Sequence, residues 1–167
     1  LLDDADMQGN NLHVFASRLF EEGLGMGASL VLVDYPKADA GQTLADDKGK
    51  RPYFVQIPID YVLALYTKMR GSRQVVTELR YLETTLKPGN DFEEAEVKRV
   101  RVLREAAWET WIENKGKWSL EESGTMTLDE VPVVLFFAGR PLGNKLVKPL
   151  FLDLAYKQIE HWQSSSD

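Results

Sequence analysis

Cysteine is absent from this sequence. Disulfides, zinc–thiolate sites and cysteine nucleophiles are thereby excluded, and the lack of disulfides suits a reducing compartment. Histidine is scarce. His13 and His161 lie near opposite ends and stand in no metal-ligand spacing. Long apolar runs are missing as well: the longest, Val133 to Ala138, is strand-sized, far below the ~20 residues that span a bilayer. Positive charge is in deficit, with 20 Lys and Arg against 26 Asp and Glu, a net charge of −6. The chain therefore lacks the global basic field of a typical nucleic-acid binder. What remains is ordinary for one globular domain: 167 residues, 44% hydrophobic and 28% charged. A disordered chain would be less apolar.

Leu12, Phe15, Ala16, Leu19 and Gly23 repeat at i, i+3, i+4, i+7 spacing and predict an amphipathic helix capped by Asn10 or Asn11. The glycines between Gly23 and Gly27 supply its stop signals. Ala28 to Tyr35 reads as a strand buried on both faces. Residues 37–50 turn polar and are expected to form a mobile surface loop within a single 1–167 domain. Strands follow at Pro52 to Ile57, Tyr61 to Lys68 and Gln74 to Thr84, with a hairpin turn at Arg70-Gly71-Ser72. Glu96 to Leu103 suits a strand or, extended to Ala107, a helix; its valines favour the strand. Asn114-Lys115-Gly116 marks a hairpin between Trp108 to Glu113 and Lys117 to Glu122. Ser123 to Glu130 reads as loop, Val131 to Phe137 as a buried strand and Gly139 to Lys148 as loop. Pro149 opens a last helix with Phe151, Leu154, Ala155, Ile159 and Trp162 on one face. The order is helix, six to seven strands, helix, with hairpins dominating. The expected class is α+β with a mostly antiparallel sheet.

Chemistry is harder to find. Gly23-x-Gly25-x-Gly27 follows a helix and precedes a strand, the reverse of a phosphate loop, whose amides face the anion from the next helix. Asp34 ends a strand, where a catalytic or metal-binding carboxylate can sit, but no partner stands at a diagnostic spacing, and a turn-capping role fits Asp34-Tyr35-Pro36. Glu93, Glu94 and Glu96 read as a solvated stretch. Lys98, Arg99, Arg101 and Arg104, with Trp108 and Trp111 nearby, suggest nucleic-acid contact. Their neighbours Glu94, Glu96, Glu105 and Glu109 favour cross-strand ion pairing instead. Lys48, Lys50 and Arg51 form a second basic spot, offset by Asp46 and Asp47. The candidate nucleic-acid or subunit contacts are thus Lys48, Lys50, Arg51, Lys98, Arg99 and Arg101. No catalytic, cofactor-binding or metal residue is assigned.

Longer segments say more. They are Phe15-Ala16-Ser17-Arg18, Glu21 to Gly27, Leu30 to Pro36, Arg51-Pro52-Tyr53-Phe54, Val131 to Phe136, Pro149 to Ala155 and the closing Glu160-His161-Trp162-Gln163-Ser164-Ser165-Ser166-Asp167. In this order they make the chain resemble a family of tailed-phage and prophage head proteins described as portal-like, a domain of unknown function. The resemblance covers nearly the whole chain. It implies the α/β part of a portal wing, an excised middle fragment of a longer protein whose channel helices lie outside it. It also implies a homo-oligomeric ring, typically dodecameric, at a capsid vertex. Double-stranded DNA would pass through without sequence specificity, driven by a separate motor.

The implied partners are capsid, terminase and head–tail connector proteins, with no membrane. The implied places are the virion and, during assembly, the bacterial cytoplasm. No catalytic residue and no cofactor carry over. A ring needs head-to-tail interfaces that close, and an acidic surface would keep passing phosphates from sticking. Two other readings stand beside this one: a different virion connector or adaptor, and an enzyme or ligand-binding domain built around Asp34.

Overall fold

Local signals start and stop the first helix much as the sequence suggests. In the computed structural model, which describes residues 2–36, 50–88, 94–142 and 147–165, α1 spans Leu12–Met26. The Asn11 side chain accepts the Val14 amide at 2.9 Å and so satisfies one free amide of the first turn. The helix does not stop at Gly23, where the glycine signals begin. It runs on to Gly27, whose φ of 89° makes the left-handed cap and whose N–H donates to the Gly23 carbonyl. Gly23 has a different task. A Cβ there would lie 2.7 Å from the Phe136 ring, so its bare backbone lets that ring approach the helix.

The fold is α+β, and its residues gather into two compact units that no composition shift announces. The first comprises Leu1–Ile59 and Val134–Asp167. Its sheet has the order β2-β1-β8, from β1 (Ala28–Asp34), β2 (Tyr53–Pro58) and β8 (Val133–Phe137). β1 and β2 run antiparallel, from Ser29 opposite Pro58 to Asp34 opposite Tyr53. Ala28, Leu30 and Leu32 of the central strand are buried, but the burial expected on both faces does not extend along it: Val31 is half-buried and Val33 is 37% exposed. The buried Ser29 hydroxyl donates to the Ile57 carbonyl, which offsets its desolvation. Phe15 packs its ring 5.7 Å from that of Phe54 and joins α1 to β2.

Three expectations are corrected here. Val131 to Phe137 was expected to be a buried strand, but β8 lies at the sheet edge with Val134 66% exposed. The segment expected to be loop from Gly139 carries β9 (Arg140–Pro141) and β10 (Val147–Lys148), which pair antiparallel. The final helix, α2 (Leu152–Ser164), starts three residues after Pro149.

The second unit, Asp60–Val133, is a five-stranded antiparallel meander. Its strands are β3 (Val62–Arg70), β4 (Arg73–Pro88), β5 (Glu94–Arg104), β6 (Ala107–Asn114) and β7 (Lys117–Thr125). The valine-rich segment is indeed strand, longer than expected, and β7 continues into the segment expected to be loop from Ser123. Lys115 and Gly116 both take positive φ, 51° and 78°, the twist a two-residue hairpin requires. The turn between β5 and β6 carries no glycine. Ala106 sits there at φ 60°.

Alternation along each strand sorts the side chains. Leu79, Tyr81, Leu103 and Thr110 are buried on one face, and Val76 and Val102 on the other. The two outer ladders, β3–β4 and β6–β7, contain register shifts, whereas β4–β5 and β5–β6 run without one.

Two glycines two residues apart should respond oppositely to alanine. Gly25 has open space where a Cβ would stand, so Gly25→Ala should stabilise the protein by about 0.5–1 kcal/mol through helix propensity. At Gly27 a Cβ would meet Val147 at 2.8 Å on a positive-φ backbone. Gly27→Ala should therefore destabilise by roughly 2 kcal/mol. Chemical denaturation of the two variants measures both.

Candidate functional site

The sequence singles out six basic residues, and the structure places them in different units. Lys48 lies outside the described residues, as do residues 37–49 of the segment expected to be a mobile loop. Lys50 and Arg51 belong to the first unit, and Lys98, Arg99 and Arg101 to the second.

Arg51 is a structural tie. It enters β2 beside the segment that precedes α1. There its guanidinium donates to the Asp4 carboxylate at 2.9 Å and also to the Asp4 carbonyl. The Phe54 amide then bonds the Ala5 carbonyl at 2.9 Å. Asp6 closes the same segment. Its carboxylate accepts the Gln8 and Asn10 amides and the Asn10 side chain. Burial raises the Asp6 pKa, but these bonds, led by the Asn10 side chain, outweigh it and hold the group below its ordinary value of 3.8. The Lys50 carbonyl, for its part, accepts the Tyr35 hydroxyl at 3.4 Å.

On β5 the pleat separates neighbours. Arg99 and Arg101 point to the face of Leu103, and Lys98 to the face of Val102. Register puts Arg99 directly opposite Glu83 on β4 and Ile112 on β6. Its guanidinium nevertheless reaches across β6 to Glu121 of β7, at 2.8 Å. Two strand spacings are about 10 Å, within reach of an arginine. Glu83 is left to Arg101 at 3.5 Å and to the Tyr81 hydroxyl at 3.1 Å. The Arg99 Nε is buried and has no hydrogen-bond partner.

The opposite face carries a second network. Arg104 meets Glu78, its cross-strand neighbour, at 3.5 Å and Glu109 at 2.7 Å. Arg80 adds a 2.5 Å contact to Glu78 and stacks its guanidinium over Tyr66. The Trp111 indole N–H donates to Glu109 at 2.9 Å. At one end of the sheet, Glu105 binds Lys68 at 2.5 Å and Arg70 at 3.0 Å, while Arg73 grips Glu130 with two bonds. Cross-strand pairing is thus present, but the partners of Arg99 and Arg101 are distant in sequence. Glu83 and Glu121 carry no local signal; only the register brings them in.

Asp34 ends β1 as a turn residue. Its carboxylate accepts the Tyr35 amide at 2.9 Å and the Tyr53 hydroxyl at 3.4 Å. His13 and His161 are both exposed. Among the described residues, no group of three or more His, Asp or Glu is placed to hold a metal ion. What this arrangement does chemically is brace the fold: Arg51, just before β2, and Arg99, Arg101 and Arg104 on β5 each face a carboxylate.

Two measurements follow. The Arg99–Glu121 pair is about three-quarters buried, so a double-mutant cycle with Arg99→Ala and Glu121→Ala should return a coupling of about 1 kcal/mol. Acid should loosen the fold by a sign fixed in advance. A hydrogen bond from Lys68 lowers the Glu105 pKa, and one from Trp111 lowers that of Glu109, each below the ordinary 4.5. A lowered folded-state value contributes stability above the ordinary value, and that stability is lost as pH falls through the folded one. Melting temperature should therefore hold steady down to about pH 5 and fall below about pH 4.5, less steeply in Glu109→Gln. No family model matches this chain, and no curated protein matches it.

Proposed function

We propose that this chain is a structural, non-enzymatic part of a phage portal-like ring, the wing-region portion of a subunit at the capsid vertex through which DNA is packaged and ejected. One observation supports a role in assembly above the others. Every residue of α2 from Asp153 onward is exposed, although the helix is strongly amphipathic. An apolar helix face left in water is costly, and patches of this kind mark sites where another protein docks.

The basic residues are consistent with the same role. Arg51, Arg99 and Arg101 are held by carboxylates, which suits a ring that lets DNA pass without gripping its phosphates. The Asp34 carboxylate is engaged by the neighbouring Tyr35 and Tyr53, so it offers less to a catalytic reading. The capsid, the terminase and the head–tail connector would be the neighbours of such a ring.

Light scattering after size exclusion, with negative-stain images of the peak, tests this on the full-length protein. A ring of about a dozen subunits with a central hole is expected. A monomer or dimer at every concentration, with scaffold supplied, overturns the reading.

A further inference from the structure

One flank of α1 stays open where it borders the end of β2. Gln56 and Pro58 alternate onto the same face of β2 as Phe54, the residue that meets Phe15. Beyond that aromatic contact, helix and strand enclose a cleft of about 630 Å³. Arg18, Glu22 and Met26 line it from the helix, and Gln56 and Pro58 from the strand. Its size is that of a small-molecule site, and all of its lining belongs to the first unit.

The charges in this cleft are not used by the fold. Arg18 and Glu22 stand one helical turn apart, a spacing at which opposite charges commonly pair. Their order, cation before anion, is the weaker one for such a pair. Among the described residues, neither they nor Glu21 at the rim forms an ion pair or a side-chain hydrogen bond. Arg80, Arg99 and Arg104 of the second unit, by contrast, each hold a glutamate. Gln56 is half-buried, and its side-chain amide is likewise without a partner.

Gly25 is the second observation. Glycine inside a helix is destabilising relative to alanine, and nothing in the fold asks for one here. No atom lies within 4 Å of where its Cβ would stand, whereas Gly23 and Gly27 each press against a side chain. The space that Gly25 leaves opens into the cleft. A bare stretch of helix backbone beside unpaired charges suits the close approach of a ligand.

We infer that this cleft binds a small zwitterion that carries an ammonium and a carboxylate, the chemistry of a free amino acid or a short peptide. Arg18 meets the carboxylate, with the Gln56 amide beside it. Glu22, joined by Glu21, meets the ammonium. Met26 and Pro58 give the ligand's side chain an apolar wall, and Gly25 lets its backbone lie close to the helix. Opposite charges on one flank select a ligand with both signs: a lone anion would sit beside two carboxylates, and a lone cation beside a guanidinium. Arg18 and Glu21 are exposed, so each ionic contact is screened, and a Kd of about 1 mM is expected.

Chemical-shift titration of the 167-residue chain with glycyl-leucine tests this. Saturable shifts are expected at Glu22, at Gly25 and at the Gln56 side-chain amide. Glycyl-leucinamide lacks the carboxylate and N-acetylglycyl-leucine lacks the ammonium; each should bind roughly three- to fivefold more weakly. Arg18→Ala should no longer distinguish glycyl-leucine from its amide. Glu21→Gln combined with Glu22→Gln should no longer distinguish it from the acetylated form. Free leucine carries the same two charges closer together, and the tighter binder of leucine and glycyl-leucine tells an amino-acid site from a peptide site. Gly25→Ala guards against loss of binding through misfolding: it should stabilise the chain, yet weaken glycyl-leucine at least as much as removal of either charge does, because its methyl group enters the cleft.

No saturation by about 50 mM overturns the inference. So do equal binding of the three glycyl-leucine compounds, shifts that map away from α1 and β2, and discrimination that survives Arg18→Ala. Tighter binding of the amide would show an acidic rim only and overturns it as well.

Discussion

The ladder between β4 and β5 fixes most of the second unit. It runs without a shift from Glu78 opposite Arg104 to Pro88 opposite Glu94. Because side chains alternate, this single register decides that Leu79, Tyr81 and Leu103 share a face with Arg99 and Arg101, and that Val76 and Val102 share the other with Arg104. A slip by one residue would exchange the two sets. Arginines would then occupy the positions where valines are buried, with their glutamate partners on the far side. The ion pairs do not hold the sheet in register. They are possible because buried aliphatic side chains already do, and they add directional preference to a choice made by burial.

Charge and apolar surface are distributed in an uncommon way. The basic groups that look available in the sequence are largely occupied within the fold, each facing a carboxylate. Several large apolar side chains, by contrast, face outward, most of all on α2. In the first unit, the turn built by Asp6 and the tie from Arg51 to Asp4 keep the segment before α1 against β2, so that the cap at Asn11 begins the helix in a fixed place.

What could be read from the sequence was whatever has a local cause. The α1 periodicity, the asparagine cap, the valine alternation of β5 and the Asn114-Lys115-Gly116 turn act over a few residues, and each is found. The turn at Ala106 was invisible because alanine carries no mark of positive φ. Its backbone is held there by bonds to Leu128 and Met126, 22 and 20 residues away. Periodicity likewise revealed that α2 has an apolar face but not that it would be uncovered, and an apolar run suggested burial for β8 where edge position left Val134 in water. The partners of Arg99 and Arg101 depend on register across three strands, which one strand's sequence does not encode. The division into two units passes unmarked for a related reason: one boundary falls at Ile59, just after Pro58, and the other inside an apolar strand.

The register shifts have a consequence of their own. Among the described residues, β3 and β7 form the two borders of the five-stranded sheet, and the irregularities lie only in the ladders that join them to it, between Val62 and Ala64, between Tyr66 and Thr67, and at Thr110. Extra residues there twist the border strands and break the even row of amides and carbonyls that a foreign strand would need to match. The sheet is regular in its inner ladders and irregular in its outer ones, so its borders make a poor template for backbone pairing with a foreign strand.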